Sequence, residues 1–170
     1  MTSYISNSDH YDRVLEKARE VRKLLWIGTA DIKDLHVRRG KRSEPFLAVL
    51  AELLLRGVEV RLIHAKEPGP NFRKDFDVYP VLAERLERVL CPRVHFKLMI
   101  FDLEAAYVGS ANLTGAGMGM KSELKRNFEA GVLTTEPGLV EDAIRQFDEV
   151  WMGKFCAKCG RKTFCGDRIL

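Results

Sequence analysis

His95-Phe-Lys97-Leu-Met-Ile-Phe-Asp102, followed after six residues by Gly109-Ser110-Ala-Asn112, is the stretch on which the reading of this chain turns. Strand alternation puts His95 and Lys97 on one face and leaves Val94, Phe96, Leu98 and Ile100 for the other. A nucleophile and a cation then stand side by side. Gly109 ends the next predicted strand and lets backbone approach a ligand, and Ser110 and Asn112 offer short polar donors to the same space. A phosphodiester is the chemistry that wants these residue types. Its oxygens gain negative charge as phosphorus is attacked, and Lys97, Ser110 and Asn112 can stabilise that charge without a metal. His95 can attack the phosphorus if one ring nitrogen is unprotonated and the other is held by an acceptor. Glu129, in Asn127-Phe-Glu129-Ala-Gly131 on a later predicted strand, is a candidate for that acceptor.

Outward from the motif, the apolar spacing alternates between helix and strand. Val14, Leu15, Ala18 and Val21 recur at helical spacing after Ser8, a candidate cap, and a strand over 24–28 follows. Ser43, Glu44 and Pro45 open a second helix whose buried stripe is Phe46, Leu47, Leu50, Leu53 and Leu54, and Gly57 ends it. A strand over 58–64 precedes a loop over 65–80 marked by Pro and Gly, then a helix over 81–90 closed by Pro92. Strands over 94–101, 105–109 and 128–134 come next, with a glycine-rich loop over 114–120, and a final helix covers 137–151. Strands that first alternate with helices and then cluster indicate an α/β domain, a mixed central sheet flanked by helices. Residues 1–152 form that domain. Residues 153–170 form a short tail bearing cysteines and the basic residues Lys154, Lys158, Arg161, Lys162 and Arg168.

The composition agrees with one globular domain. Of 170 residues, 46% are apolar and 31% charged, and 28 Lys and Arg against 24 Asp and Glu leave a net charge of +4. Collagen-like, coiled-coil and disordered chains are thereby excluded. The richest apolar run, 49–60, is interrupted by Glu52 and Arg56, too early for a membrane span. Residues 1–13 lack the basic-then-apolar order of a secretory signal, so a soluble, cytoplasmic protein is expected. The positive charge clusters at Arg38, Arg39, Lys41 and Arg42 and again at Lys121, Lys125 and Arg126, directly after the motif. Those clusters tip the expected substrate towards the polyanionic backbone of nucleic acid.

Four cysteines remain, Cys91 alone and Cys156, Cys159 and Cys165 close together. A cytoplasmic chain rarely pairs them as disulfides, which leaves reduced thiols or a metal site. Cys156-x-x-Cys159 and Cys165 supply three sulfur ligands for a structural zinc, and Cys91 is the fourth if the tail folds back, with a histidine or Asp167 as alternatives.

The spacing H-x-K, four residues, D, six residues, G-S-x-N resembles the HKD signature of the phospholipase D superfamily. His95, Lys97, Asp102, Gly109, Ser110 and Asn112 match every specified position. The similarity extends loosely over Gly57-Val-Glu-Val-Arg-Leu62, the Asn127/Glu129 segment and the helix end at Phe147 and Trp151, and leaves out the cysteine tail. It implies an α-β-α sandwich and a two-step phosphodiester exchange through a phosphohistidine, with no cofactor. His95 is then the nucleophile, Lys97 and Asn112 bind phosphate, Ser110 assists, Glu129 orients the imidazole, and Asp102 completes the catalytic set in a structural or supporting role. A second histidine must protonate the leaving oxygen and then activate water. This chain has one complete motif, because His10 and His36 lack its other residues and His64-Ala-Lys66 copies only its first three positions. A homodimer pairing two motifs is therefore expected, the arrangement of small single-motif nucleases in the superfamily. Three functions fit: a metal-independent nuclease, a phospholipase or phosphatidyltransferase, and a non-catalytic nucleic-acid-binding module. The intact His95, Lys97 and Asn112 weigh against the last.

Overall fold

In the computed structural model, which describes residues 1–33 and 35–167, the apolar stretches assemble into one mixed sheet with helices on both faces. Arg168, counted above in the basic tail, lies outside the described residues. The chain starts with β1 (Thr2–Ser6), a π-helical turn (His10–Leu15), α1 (Glu16–Glu20) and β2 (Leu24–Thr29). A hairpin of β3 (His36–Arg39) and β4 (Arg42–Pro45) leads to α2 (Phe46–Leu55), β5 (Glu59–His64), the short helices α3 (Pro70–Asp77) and α4 (Pro80–Arg85), and β6 (Glu87–Leu90). Then come β7 (Lys97–Phe101), β8 (Ala105–Gly109), β9 (Ala130–Thr134) and α5 (Pro137–Trp151). The seven-stranded sheet runs β1-β9-β8-β7-β2-β5-β6, parallel among β2, β5 and β6 and antiparallel from β2 through β7, β8 and β9 to β1.

Alternation along the central strands divides the core in two. Leu25 and Ile27 of β2, with Met99 and Phe101 of β7, pack on the side of α2 and its Leu50 and Leu53. Trp26, Leu98 and Ile100 face α5 through Phe147, Val140 and Ala143. Burial on both faces explains why these strands read as continuous apolar runs.

Several expectations give way to longer-range contacts. The loop over 65–80 contains α3, opened by Pro70 in its first turn, which buries Phe72 and Phe76 in the larger core. The helix over 81–90 stops at Arg85. Residues 87–90 extend instead, because the open edge of β5 offers unpaired backbone groups that β6 satisfies from Arg61↔Glu87 to His64↔Leu90. Ser43, Glu44 and Pro45 belong to β4, so α2 begins at Phe46. Ser8 does not cap with its side chain, and its carbonyl takes the N–H groups of Tyr11 and Asp12. Strand β1, polar and unmarked by alternation, pairs with β9. Strands β7 and β9 begin at Lys97 and Ala130, which leaves His95 and Glu129 just off the strand ends.

Asp102 holds the opposite end of β7. It opens a tight turn with Leu103, both at positive φ (53° and 60°), closed by Glu104 N–H on the Phe101 carbonyl at 3.0 Å. Its carboxylate accepts the backbone N–H groups of Arg22 (3.0 Å), Lys23 (2.7 Å) and Leu24 (3.0 Å), tying the β7–β8 turn to the start of β2. Burial pushes its pKa up, but those donors and the Lys23 charge outweigh it and leave the carboxyl below its ordinary range. We expect Asp102→Ala to lower the unfolding free energy by about 2 kcal/mol, read as a shift of the urea midpoint at constant slope.

The buried His10 and His64 are lowered from 6.5, in each case chiefly by burial, against the carbonyls of Asn7 and Lys66. Below 6.5 the unfolded chain therefore takes up protons that the fold refuses, and below 3.8 Asp102 adds to the loss. Stability should be complete above neutrality and fall on acidification. A Tm that stays level or rises between pH 7.5 and 5.5 would contradict this.

Candidate active site

One end of the sheet gathers the motif. Lys97, first in β7, pairs with Gly109, last in β8, and Gly109 in turn pairs with Gly131 of β9. On the other side Leu98 pairs with Gly28, so Thr29 ends β2 beside the same spot. His95 is exposed just ahead of β7, whereas Lys97 is only 7% exposed. The Lys97 ammonium lies 3.2 Å from His95 Nδ1 and donates to the His95 carbonyl at 2.8 Å. The predicted shared face of His95 and Lys97 is thus present. Phe96, between them, packs on the bare backbone of Gly28, where a Cβ would lie 2.1 Å from its ring.

Asn112 faces the same end. Its Oδ1 accepts the Asp31 N–H at 3.1 Å. Thr29, buried, fixes this corner by donating to the Asp31 carbonyl (2.8 Å) and accepting the Leu113 N–H (3.1 Å). Lys33 and Lys66 pair with the Asp31 carboxylate at 2.9 and 3.4 Å. His64, in the partial copy of the motif, is buried and bonded through Nδ1 to the Lys66 carbonyl.

Ser110 and Glu129 form the third corner. The Ser110 hydroxyl donates to Glu129 Oε2 and accepts the Ala130 N–H at 3.1 Å, while Glu129 Oε1 takes Asn127 Nδ2–H at 3.0 Å. The carboxylate expected to orient His95 therefore holds Ser110 and Asn127 in this arrangement, and His95 Nδ1 faces Lys97 instead. Gly109 also differs from expectation. Its missing side chain makes room for the Tyr107 phenol rather than for a ligand, since a Cβ there would lie 2.3 Å from the Tyr107 hydroxyl. Asp102 lies at the far end of β7 and does not reach this site.

The supporting residues Thr29, Asp31 and Tyr107 escape a motif reading. The one signal they carry is Gly28-Thr29 at the end of a buried strand, a small residue and then a hydroxyl where the sheet opens.

The two basic clusters meet in part. Arg38 from the β3–β4 hairpin and Lys121 and Arg126 from the loop after the motif line one open cleft of about 670 Å3, together with Ser8 and the acidic Asp12 and Glu123, while Lys41 and Arg42 stay outside it. Lys125 is exposed outside that lining, and Arg39 is engaged by Glu44 and Glu52 at 3.7 and 3.0 Å. Ser8 follows Asn7, whose Oδ1 accepts the Glu129 N–H at 3.3 Å, so the cleft adjoins the Ser110–Glu129 corner. The four cysteines are elsewhere, around a separate cavity beside α5.

Among the described residues no helix is long and apolar enough to cross a membrane. The family model described as cardiolipin synthase, PLD-like domain, matches residues 13–151. No curated protein matches the chain by sequence. Among solved structures, NucT from Helicobacter pylori superposes with a TM-score of 0.67 at 15% identity, over 89% of this chain and 96% of that one. Nuc, a phospholipase D family member from Salmonella typhimurium, gives 0.64 at 17% identity over 89% and 94%. The phosphatidylserine synthase of Haemophilus influenzae gives 0.59 at 11% identity and covers 85% of this chain but 35% of its own. The likenesses carry the fold, and the family match over most of the chain carries the assignment: this protein belongs to the phospholipase D superfamily as a PLD-like domain.

Proposed function

We propose that this protein is a phosphodiesterase that hydrolyses nucleic-acid backbones through a covalent phosphohistidine, at a site shared by two copies of the chain. The observation that carries the reading is the exposed His95 against the ammonium of the nearly buried Lys97, with Asn112 held at the same end of the sheet. A phosphodiester oxygen fits between these cationic and neutral donors, which stabilise the charge that grows on attack.

The chemistry proceeds in two displacements. With the ammonium donating to Nδ1, a neutral His95 carries its ring proton on Nε2 and is not ready to attack through that nitrogen. A phosphate oxygen that draws Lys97 away frees Nδ1 to hold the proton. Nε2 then attacks phosphorus, a P–N bond forms, and the ester P–O bond breaks as the partner's His95 protonates the departing oxygen. That second imidazole next takes a proton from water, whose oxygen displaces the first and regenerates free His95.

Two further observations support the reading. The cleft lined by Arg38, Lys121 and Arg126 adjoins the site and suits a chain of phosphates. This chain also matches NucT and Nuc over nearly their whole length, but phosphatidylserine synthase over about a third. The second copy has a surface to meet. Tyr4 pairs with Val132, and Val132 with Val108, so all three share the face of the sheet on which α5 packs over the central strands. Tyr4 and Val108 are 69% and 46% exposed there, one residue from Gly109.

Cleavage of end-labelled single- and double-stranded oligonucleotides in EDTA, with phospholipid vesicles as a parallel substrate, tests the reading. Wild type should cut oligonucleotides, His95→Ala should be inactive but folded, and Lys97→Ala should lose on the order of 100- to 1,000-fold in turnover. Turnover of vesicle lipid alone would assign the lipid reaction instead, and binding without cleavage a non-catalytic module. Val108→Asp should turn a sedimenting dimer into a monomer and remove cleavage with it. A fully active monomer would refute the shared site.

A further inference from the structure

The cysteine-bearing tail takes no part in the chemistry above, yet the fold brings every cysteine of the chain to one place. Cys91, Cys156, Cys159 and Cys165 line a single cavity of about 270 Å3, with Arg93 and Lys162 also in its wall. All four are free thiols and only partly buried. Two contacts pin the end of the tail beside Cys91: Asp167 Oδ2 accepts the Leu90 N–H at 2.7 Å, and the Cys165 thiol donates to the Leu90 carbonyl at 3.6 Å. At the other end, Cys159 N–H closes a turn on the Cys156 carbonyl at 3.1 Å, and Arg161 N–H points at Cys159 Sγ at 3.4 Å. A backbone donor aimed at sulfur stabilises the negative charge that a metal-bound thiolate keeps.

We propose that these four cysteines form a tetrathiolate site for zinc, or another soft divalent cation, that fastens the tail to the catalytic domain. Sulfur ligands from a Cys-x-x-Cys turn and two separate positions suit tetrahedral zinc. Asp167, the alternative fourth ligand, does not line the cavity, whereas Cys91 does, which makes Cys91 the fourth ligand. Each thiol gives up its proton on binding, and the double negative charge of the resulting tetrathiolate is offset by Arg93 and Lys162. Among the described residues no three His, Cys, Asp or Glu side chains stand close enough to hold a metal, so binding requires the four sulfurs to move together around the ion. Val94 and Phe96 line that cavity and flank His95, so the closed site braces the segment that carries the imidazole without entering its chemistry.

The test uses the full chain purified under reducing conditions without chelator. One equivalent of zinc per chain is expected by elemental analysis, and stripping it should lower the Tm by on the order of 5 °C. Cobalt(II) added to the stripped protein should show thiolate charge-transfer absorption of an intensity that four sulfurs give. Cys91→Ser and Cys159→Ser should each weaken zinc at least about 10-fold in competition with a chromophoric chelator. His95→Ala should keep its full zinc, which separates this proposal from the catalytic one. Absence of zinc together with a cobalt spectrum lacking thiolate bands overturns the site. Wild-type zinc affinity in Cys91→Ser overturns the four-cysteine set.

Discussion

The charge of a lysine that is only 7% exposed has to be compensated, and much of the site follows from how the chain does so. Lys97 begins a strand paired on both sides, so its backbone is fixed by β8 on one flank while β2 holds the residue after it on the other. Its charge turns to the carbonyl and ring nitrogen of His95, two residues earlier. The two groups therefore depend on each other: the imidazole is placed by a cation, and the cation waits for a better anion. The Thr29–Asp31–Asn112 corner completes the arrangement at the same end of the sheet, with the Asp31 carboxylate taken up by Lys33 and Lys66.

The meeting of His95 and Lys97 was legible because it is local. Both lie at the start of one hairpin whose far strand ends just before Ser110, and strand periodicity is enough to predict that the histidine and the lysine stand together. The central strands were legible for a related reason, since burial on both faces leaves long apolar runs. The family resemblance agrees with the fold, in which helices pack on both sides of a mixed sheet.

What escaped depends on partners distant in sequence. Strand β1 is Thr-Ser-Tyr-Ile-Ser, unremarkable alone, and becomes a strand because β9 presents an open edge. Residues 87–90 keep apolar spacing compatible with a helix, and the edge of β5 decides otherwise. Glu129 was read from its place near the motif as the partner of His95, whereas its neighbours Ser110 and Asn127 reach the carboxylate first. Gly109 likewise looked like a place for a ligand and turned out to be a place for Tyr107, because nothing in the sequence tells which ring lies over which glycine.

Asp102 separates two kinds of letter in one motif. Its histidine and lysine meet at one end of β7, while its aspartate works at the far end of the same strand as a clasp on the backbone of residues 22–24. A descendant of this domain relieved of catalysis would be free to lose the histidine and still need the aspartate to fold. In such a lineage the acid would outlive the nucleophile, and a surviving D without its H would mark a retired enzyme.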